Sequence, residues 1–80
     1  MKFKTETELN RTIGTNIKHY RVLANLTQIQ LSEKAGISIS YLSKLEASGC
    51  DKSLSIATLN QIANVLNIEI TEFFKEDLNE

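Results

Sequence analysis

Residues 27–46 read TQIQLSEKAGISISYLSKLE, and this stretch decides the predicted fold. Thr27 is a favourable N-cap residue, and Gln30 follows three positions later, which is the spacing of a capping box. A helix is therefore predicted from about Gln28 to Ala35. Gly36 adopts the left-handed conformation at low cost and is expected to end that helix.

A second helix is predicted to begin after Ser38, another favourable cap, and to run to about Ala47. Five apolar side chains are spaced so that the two helices pack against each other. They are Leu31, Ala35, Ile37, Leu42 and Leu45. This packing leaves the polar N-terminal side of the second helix projecting from the body. A helix presented in this way fits the DNA major groove, where base edges carry a distinguishable pattern.

The remainder of the chain predicts three more helices. The first runs from about Thr5 to Ala24 and begins with capping-box spacing. After a predicted loop over residues 48–53, a further helix follows a cap at Ser55 and ends near Asn67. A short last helix covers about Ile70 to Lys75. No segment alternates apolar and polar residues as a strand does, so the predicted fold class is all-α with five helices.

The length and composition fit one globular domain over residues 1–80, with an N-terminal arm (1–4) and an acidic C-terminal tail (76–80). The chain is 41% hydrophobic and 24% charged, as folded domains are. It contains no run of ~18 apolar residues for a membrane span and no signal-peptide pattern. We therefore expect a cytoplasmic protein with no membrane partner.

Charge is distributed unevenly along the chain. The formal net charge of −1 taken alone disfavours a nucleic-acid partner. Residues 1–68, however, contain eight Lys and Arg against five acidic residues, whereas residues 69–80 contain one Lys against five acidic residues. Attraction to phosphate depends on the charge of the local surface, so the net charge does not decide the partner.

The chain resembles the Cro/cI-type (Xre) family of helix-turn-helix regulators over about Ile13 to Phe74. The positions that carry the resemblance are Ile13-Gly14, Ile17, Arg21, Leu26-Thr27-Gln28, Leu31, residues 34–38 (KAGIS), residues 40–46 (SYLSKLE), Thr58-Leu59, Ile62-Ala63 and Leu66. The resemblance implies a lambda-repressor-like bundle of five helices that binds operator DNA, commonly as a two-fold dimer.

The resemblance also indicates which side chains meet DNA. Bases are expected to be read by Ser38, Ile39, Ser40, Ser43 and Lys44. Phosphate contacts are expected from Thr27, Gln28 and Tyr41, and Lys52 and Ser53 in the loop are further phosphate candidates near the start of the fourth helix. Arg21 and Glu46 match a charged pair that joins the first helix to the end of the third. A bidentate pair of this kind is expected to orient the third helix without touching DNA.

Several of these residues have a second interpretation. Ile39 either contacts a thymine methyl group or packs against the body of the protein, and Lys44 either donates to guanine or is an ordinary solvated lysine. Tyr41 either donates to a phosphate or packs against the second helix. Lys52 and Ser53 either bind phosphate or belong to an ordinary mobile loop. The loop from Ala47 to Leu54 is one or two residues longer than in common family members and lacks their proline.

Nothing in the sequence predicts an enzyme. No catalytic constellation or phosphate-binding glycine loop is present. His19 has no second histidine with which to bind a metal, and Cys50 is the single cysteine. We therefore expect no metal, no cofactor and no internal disulfide.

The C-terminal third carries more apolar surface than one short helix hides. Val65, Ile70, Phe74 and Leu78 are predicted to form a homodimer interface, the alternative being their complete burial within the monomer. Such a dimer places the two copies of the helix that follows Ser38 about 34 Å apart on a roughly palindromic operator. It would repress transcription by occlusion or activate it by contacting RNA polymerase. The competing hypothesis is a protein-interaction module of the same fold, such as an antitoxin or anti-repressor.

Overall fold

The computed structural model describes residues 2–48 and 54–76. Four α-helices follow one another: α1 (Glu6–Leu23), α2 (Gln28–Ala35), α3 (Ile39–Ser48) and α4 (Ile56–Val65). A short 3-10 helix (Ile70–Phe74) comes last. The all-α prediction is confirmed, and no strand occurs among the described residues.

The fifth predicted helix differs from the expectation in type and length. It is a five-residue 3-10 helix that ends at Phe74, because Lys75 adopts an extended backbone conformation (ψ 136°). Backbone carbonyls near its end accept hydrogen bonds from a side chain of α1 instead of from a continuing helix. The described residues therefore contain four α-helices, and the predicted fifth helix is the 3-10 helix.

Each of the four α-helices begins at a hydroxyl side chain that accepts a backbone N–H three residues later. These caps are Thr5, Thr27, Ser38 and Ser55, with oxygen-to-nitrogen distances of 3.0–3.1 Å. Gln30 completes the capping box of α2, because its Oε1 accepts the backbone N–H of Thr27 at 2.9 Å. All four caps were predicted, since each contact depends only on residues close together in the sequence.

Three of the helices end in one way, with a residue of positive φ followed by an apolar residue. The positive-φ residues are Asn25 (φ 59°), Gly36 (φ 69°) and Asn67 (φ 57°). The apolar residue after each then donates its backbone N–H back into the helix: Leu26 to Arg21, Ile37 to Ser32 and Ile68 to Ala63, at 3.0–3.1 Å. This is the Schellman arrangement, which satisfies helix carbonyls that otherwise lack a donor.

The core lies between the four α-helices and the 3-10 helix. Helix α1 packs against α3 and the 3-10 helix, and α4 packs against α2 and the 3-10 helix. The largest fully buried side chains are Phe73, Ile17, Leu31, Leu42, Leu45, Leu59 and Ile62. Because α3 contributes only its inner side to this core, its outer side remains available.

The buried side chain of Asn16 fastens the 3-10 helix to α1. Its Nδ2 donates to the backbone oxygens of Phe73 at 2.9 Å and Lys75 at 2.7 Å, with a longer contact of 3.4 Å to that of Glu72. Unpaired backbone carbonyls are costly in the interior. The polar Asn16 therefore belongs in the core because it supplies donors that the short 3-10 helix lacks.

A second polar contact joins the same two elements. The Tyr20 hydroxyl donates to Glu72 Oε1 at 2.6 Å, and Lys75 forms an ion pair with the same carboxylate. The hydrogen bond to Glu72, with burial, raises the pKa of Tyr20 to about 12. The Lys75 ammonium and then the Tyr20 hydroxyl lower the pKa of Glu72. The 3-10 helix is thus also held to α1 by contacts nearer the surface.

None of the described helices is both long and apolar enough to cross a bilayer.

Replacing Asn16 by alanine is expected to lower the free energy of unfolding by about 1–3 kcal/mol, because buried carbonyls lose their donors. Urea denaturation followed by circular dichroism measures the change. The matched control is Asn60→Ala on the exposed side of α4, which is expected to change stability by no more than about 0.5 kcal/mol. Equal stabilities of the two variants would contradict the role given to Asn16.

Candidate nucleic-acid interface

The angle between α2 and α3 is set by a glycine turn and an apolar interface. Gly36 has φ 69°, a conformation that glycine adopts without the penalty of a Cβ atom. The Gln61 side chain of α4 donates from Nε2 to the backbone oxygen of Ala35, directly before the turn. Leu31 and Ala35 of α2 are fully buried, as are Leu42 and Leu45 of α3. The predicted packing of the two helices is therefore present.

The outer side of α3 presents all five residues that were expected to read bases. Ser38, Ile39, Ser40, Ser43 and Lys44 are exposed. Ile39, at the first position of the helix, is 44% exposed, whereas Leu42 and Leu45 of the same helix are at 0%. The structure therefore does not bury Ile39 against the body of the protein.

The electrostatics of α3 favour a negatively charged partner. Lys44 and Glu46 are its two charged residues. The side chain of Glu46 is only 3% exposed, and its charge is compensated by Arg21. The exposed charge on this helix is therefore the ammonium of Lys44, surrounded by small hydroxyl side chains.

Arg21 and Glu46 form the bidentate pair that the family resemblance implied. Arg21 Nε lies 2.6 Å from Glu46 Oε2, and Arg21 Nη2 lies 3.0 Å from Oε1. Arg21 Nη1 also donates to the backbone oxygen of Leu26 at 2.8 Å, so the guanidinium joins the end of α1 to the turn before α2. The Gln28 side chain of α2 donates from Nε2 to Glu46 Oε1 at 3.1 Å. Three helices thus meet at one carboxylate.

The candidate phosphate-binding residues lie around the N-terminal ends of α2 and α3. Thr27 caps α2 and is exposed, while Gln28 is its half-buried first residue. Tyr41 is half-buried, packs against the core and lines a shallow groove with Ile37, Ser38 and Thr58. Both interpretations of Tyr41 therefore have structural support. Lys52 and Ser53 lie outside the described residues.

The candidate dimer residues occupy the opposite end of the chain. Val65, Ile70 and Phe74 are half-buried at the edge of the core, whereas the neighbouring Phe73 is fully buried. Complete burial of these three within the monomer is therefore not observed. Leu78 lies outside the described residues.

Sequence reasoning missed three contacts that position this surface. The hydrogen bonds of Asn16 to the 3-10 helix, of Gln61 to Ala35 and of Gln28 to Glu46 each join residues at least 18 positions apart. Of these, only the Asn16 contact could have been suspected from the sequence. Asn16 lies three positions after Ile13 and directly before Ile17, so a polar residue falls on the apolar side of α1.

Two short helices joined by a left-handed glycine, with the second helix exposed on its outer side, define a helix-turn-helix protein. A family model of this class, HTH_3, described as Helix-turn-helix, matches residues 17–73. The chain belongs to this family. The resemblance to the Cro/cI-type (Xre) group is thereby confirmed.

Known proteins of this class share both sequence and fold with the chain. The immunity repressor protein of Bacillus phage phi105 is 41% identical over 66 residues, which cover 82% of this chain and 44% of the phage protein. SinR, the master regulator for biofilm formation, has a crystal structure in complex with DNA, and its sequence there is 33% identical to this chain. It has a TM-score of 0.72 and covers 79% of this chain and 98% of that one. The restriction-modification controller protein C.AhdI from Aeromonas hydrophila is 25% identical with a TM-score of 0.73, over 80% of this chain and 94% of that one.

The chain spans about half the length of the curated relatives it matches first. The matched segment in each includes the helix-turn-helix, and these relatives are named as repressors and transcriptional regulators. The family is one of regulators and not of enzymes, in agreement with the sequence analysis.

Replacing Gly36 by alanine is expected to reduce the free energy of unfolding by about 1–2 kcal/mol, because a Cβ atom disfavours positive φ. The added Cβ would lie 3.5 Å from Gln61 Nε2, an ordinary contact, so the loss comes from the backbone conformation. Thermal and urea denaturation measure it. Glu33→Ala, on the exposed side of α2, is the control and is expected to be nearly neutral. A Gly36→Ala variant as stable as this control would refute the argument.

Proposed function

We propose that the chain is a sequence-specific DNA-binding transcriptional regulator that inserts α3 into the major groove of an operator. The observation that carries this proposal is the two-sided character of α3. Leu42 and Leu45 anchor it in the core with no exposed surface, and its outer side exposes Ile39, small polar groups and one cation. A rigid helix with short side chains approaches base edges closely.

The exposed residues of α3 have complementary chemistry for base pairs. Lys44 donates to the O6 and N7 acceptors of guanine, which is a common specific contact. The hydroxyl groups of Ser38, Ser40 and Ser43 both donate and accept, so they pair with several base edges. Ile39 offers an apolar surface for a thymine methyl group, an assignment supported by its exposure.

Contacts to the phosphate backbone of the DNA would set the register of the protein on the duplex. Gln28 and Tyr41 supply neutral donors at the ends of α2 and α3, and Thr27 is exposed beside Gln28. We assign these three residues to phosphate oxygens, together with Lys52 and Ser53, which precede α4 in the sequence. Contacts of this kind position a protein without reading sequence.

A homodimer on a palindromic operator completes the proposal. Val65, Ile70 and Phe74 leave part of their apolar surface uncovered, and with Leu78 they form the proposed two-fold interface. Two copies of α3 would then enter successive major grooves about 34 Å apart. Bound near a promoter in the cytoplasm, such a dimer represses by occlusion, including at its own gene, or activates through contact with RNA polymerase.

The comparisons support DNA as the partner. The SinR structure that shares this fold is titled as a complex with DNA, and nearly all of that chain is matched. The phage relative is named as an immunity repressor, which favours repression over activation.

Substituting Lys44 by alanine is expected to weaken operator binding by about 1–3 kcal/mol and to relax base preference at one position in each half-site. The operator is first selected from a random duplex pool, and affinities are then measured by fluorescence anisotropy. Lys34→Ala on the exposed surface of α2 removes the same charge away from α3 and serves as the control. If Lys44→Ala weakens binding equally on all sequences, Lys44 contacts phosphate and its assignment as a base reader is wrong.

A salt titration in the same assay separates this function from a protein-interaction module. Binding to duplex DNA is expected to weaken steeply as salt rises, because phosphate contacts release counterions. No binding to any duplex, or binding that is insensitive to salt, would favour the protein-partner hypothesis.

Introducing aspartate at Phe74 is expected to convert a dimer into a monomer, because a charge cannot be buried in an apolar two-fold interface without a partner. Size-exclusion chromatography with light scattering measures the mass, and circular dichroism verifies that the helices persist. Thr15→Asp, which adds the same charge at an exposed position of α1, is expected to remain dimeric. An intact Phe74→Asp dimer would place the interface elsewhere.

A further inference from the structure

The carboxylate of Glu46 has more donors than its ion pair requires. Arg21 occupies both oxygens, through Nε on Oε2 at 2.6 Å and Nη2 on Oε1 at 3.0 Å. Gln28 Nε2 adds a third donor on Oε1 at 3.1 Å. The Glu46 side chain is 3% exposed, whereas Gln28 is half-buried at the first position of α2. The third donor thus links a buried ion pair to a residue at the protein surface.

The chemistry of the two groups fixes the orientation of the Gln28 amide. A carboxylate only accepts hydrogen bonds, so Gln28 must direct its NH₂ group and not its carbonyl oxygen towards Glu46. A phosphate oxygen also only accepts. The NH₂ group has two N–H donors, so one nitrogen serves both acceptors without turning the amide over.

We propose that Glu46 is a positioning residue for the DNA backbone contact: held by Arg21, it fixes the Gln28 amide so that the second N–H of Nε2 is left to donate to a phosphate oxygen. The inference rests on the proposed DNA-binding function and assigns Glu46 a task beyond joining α1 to α3. Fixing a rotamer-rich side chain before the partner arrives removes part of the ordering cost of binding.

This proposal and simple electrostatics predict opposite results for loss of the Glu46 charge. A negative charge behind a phosphate contact repels DNA, so its removal alone should tighten binding. Loss of the positioning contact should instead weaken binding, by about 3- to 10-fold for one side chain released from its rotamer. Arg21 reduces the repulsion between the Glu46 carboxylate and a DNA phosphate, because its guanidinium compensates the charge at both carboxylate oxygens.

The test is a double-mutant cycle on operator affinity. Glu46→Met removes the acceptor while keeping a side chain of similar length, and Gln28→Ala removes the donor. Gln28→Ala is expected to weaken binding about 10-fold in the native background, as for a hydrogen bond to a charged group. In the Glu46→Met background the same substitution is expected to cost less than about 3-fold, because its amide is no longer held.

Tyr41→Phe is the matched control in both backgrounds. Tyr41 is another proposed phosphate contact, but it makes no contact with Glu46 among the hydrogen bonds described for residues 2–48 and 54–76. Its cost is therefore expected to be the same with and without Glu46. If Glu46→Met only tilts α3, the cost of Tyr41→Phe, which lies on that helix, changes at least as much as the cost of Gln28→Ala, and the positioning role is refuted.

The remaining outcomes separate this inference from the proposed function. Native protein that binds no duplex refutes both. Native binding with equal costs of Gln28→Ala in the two backgrounds, or with no cost at all, refutes the positioning role alone. Should Glu46→Met fail to fold, ¹⁵N relaxation in the unbound native protein is used instead to measure whether the Gln28 side-chain amide is held rigidly. An order parameter near the rigid-backbone value of about 0.85 supports the inference, and one below about 0.6 refutes it.

Discussion

The bidentate pair between Arg21 and Glu46 is the constraint on which the presentation of α3 depends. It crosses from the end of α1 to the last turns of α3, and the same guanidinium holds the backbone of Leu26. A buried pair adds little net stability compared with a well-packed apolar alternative, but losing one partner costs about 3–5 kcal/mol. Its role is therefore geometric, since it joins the end of α1 to the last turns of α3 through two hydrogen bonds.

The turn at Gly36 acts together with this pair. Positive φ at Gly36 reverses the chain within a few residues, and Ile37 returns its N–H to Ser32. Gln61 holds the carbonyl of Ala35 from the side of α4. Helix α3 is therefore fixed at its start by the turn and near its end by Glu46. Together with the buried Leu42 and Leu45, these two attachments leave the outer side of α3 free of contacts with the core.

The sequence predicted those features that depend on residues close together in the chain. The caps at Thr5, Thr27, Ser38 and Ser55 and the turn at Gly36 are local, so their residue types and spacing determine them. The exposed outer side of α3 followed from the positions of Leu42 and Leu45 by helical period. The Arg21–Glu46 pair, separated by 25 residues, was recognised through family resemblance and not from composition or spacing.

Contacts between distant residues were not predictable in this way. The sequence places the polar Asn16 on the apolar side of α1, but it does not identify the 3-10 helix as its partner. The same tertiary contact accounts for the last helix being a 3-10 helix and not an α-helix. Its apolar residues indicated a helix, but a segment of five residues has few internal hydrogen bonds, and the donors of Asn16 favoured a 3-10 turn. The Gln28–Glu46 bond likewise required the placement of α2 beside the end of α3.

The chemistry of the exposed side of α3 also indicates where binding energy must arise. Serine hydroxyls donate and accept, so they discriminate weakly between base edges, and Ile39 distinguishes only a methyl group. Lys44 is the one exposed cation of this helix. A surface with so few strong base contacts needs well-placed backbone contacts and, in the proposed dimer, a second half-site to reach useful affinity. Under the proposed function, this requirement gives the buried Glu46 its role, because a neutral donor such as Gln28 would contribute most when its orientation is settled before DNA arrives.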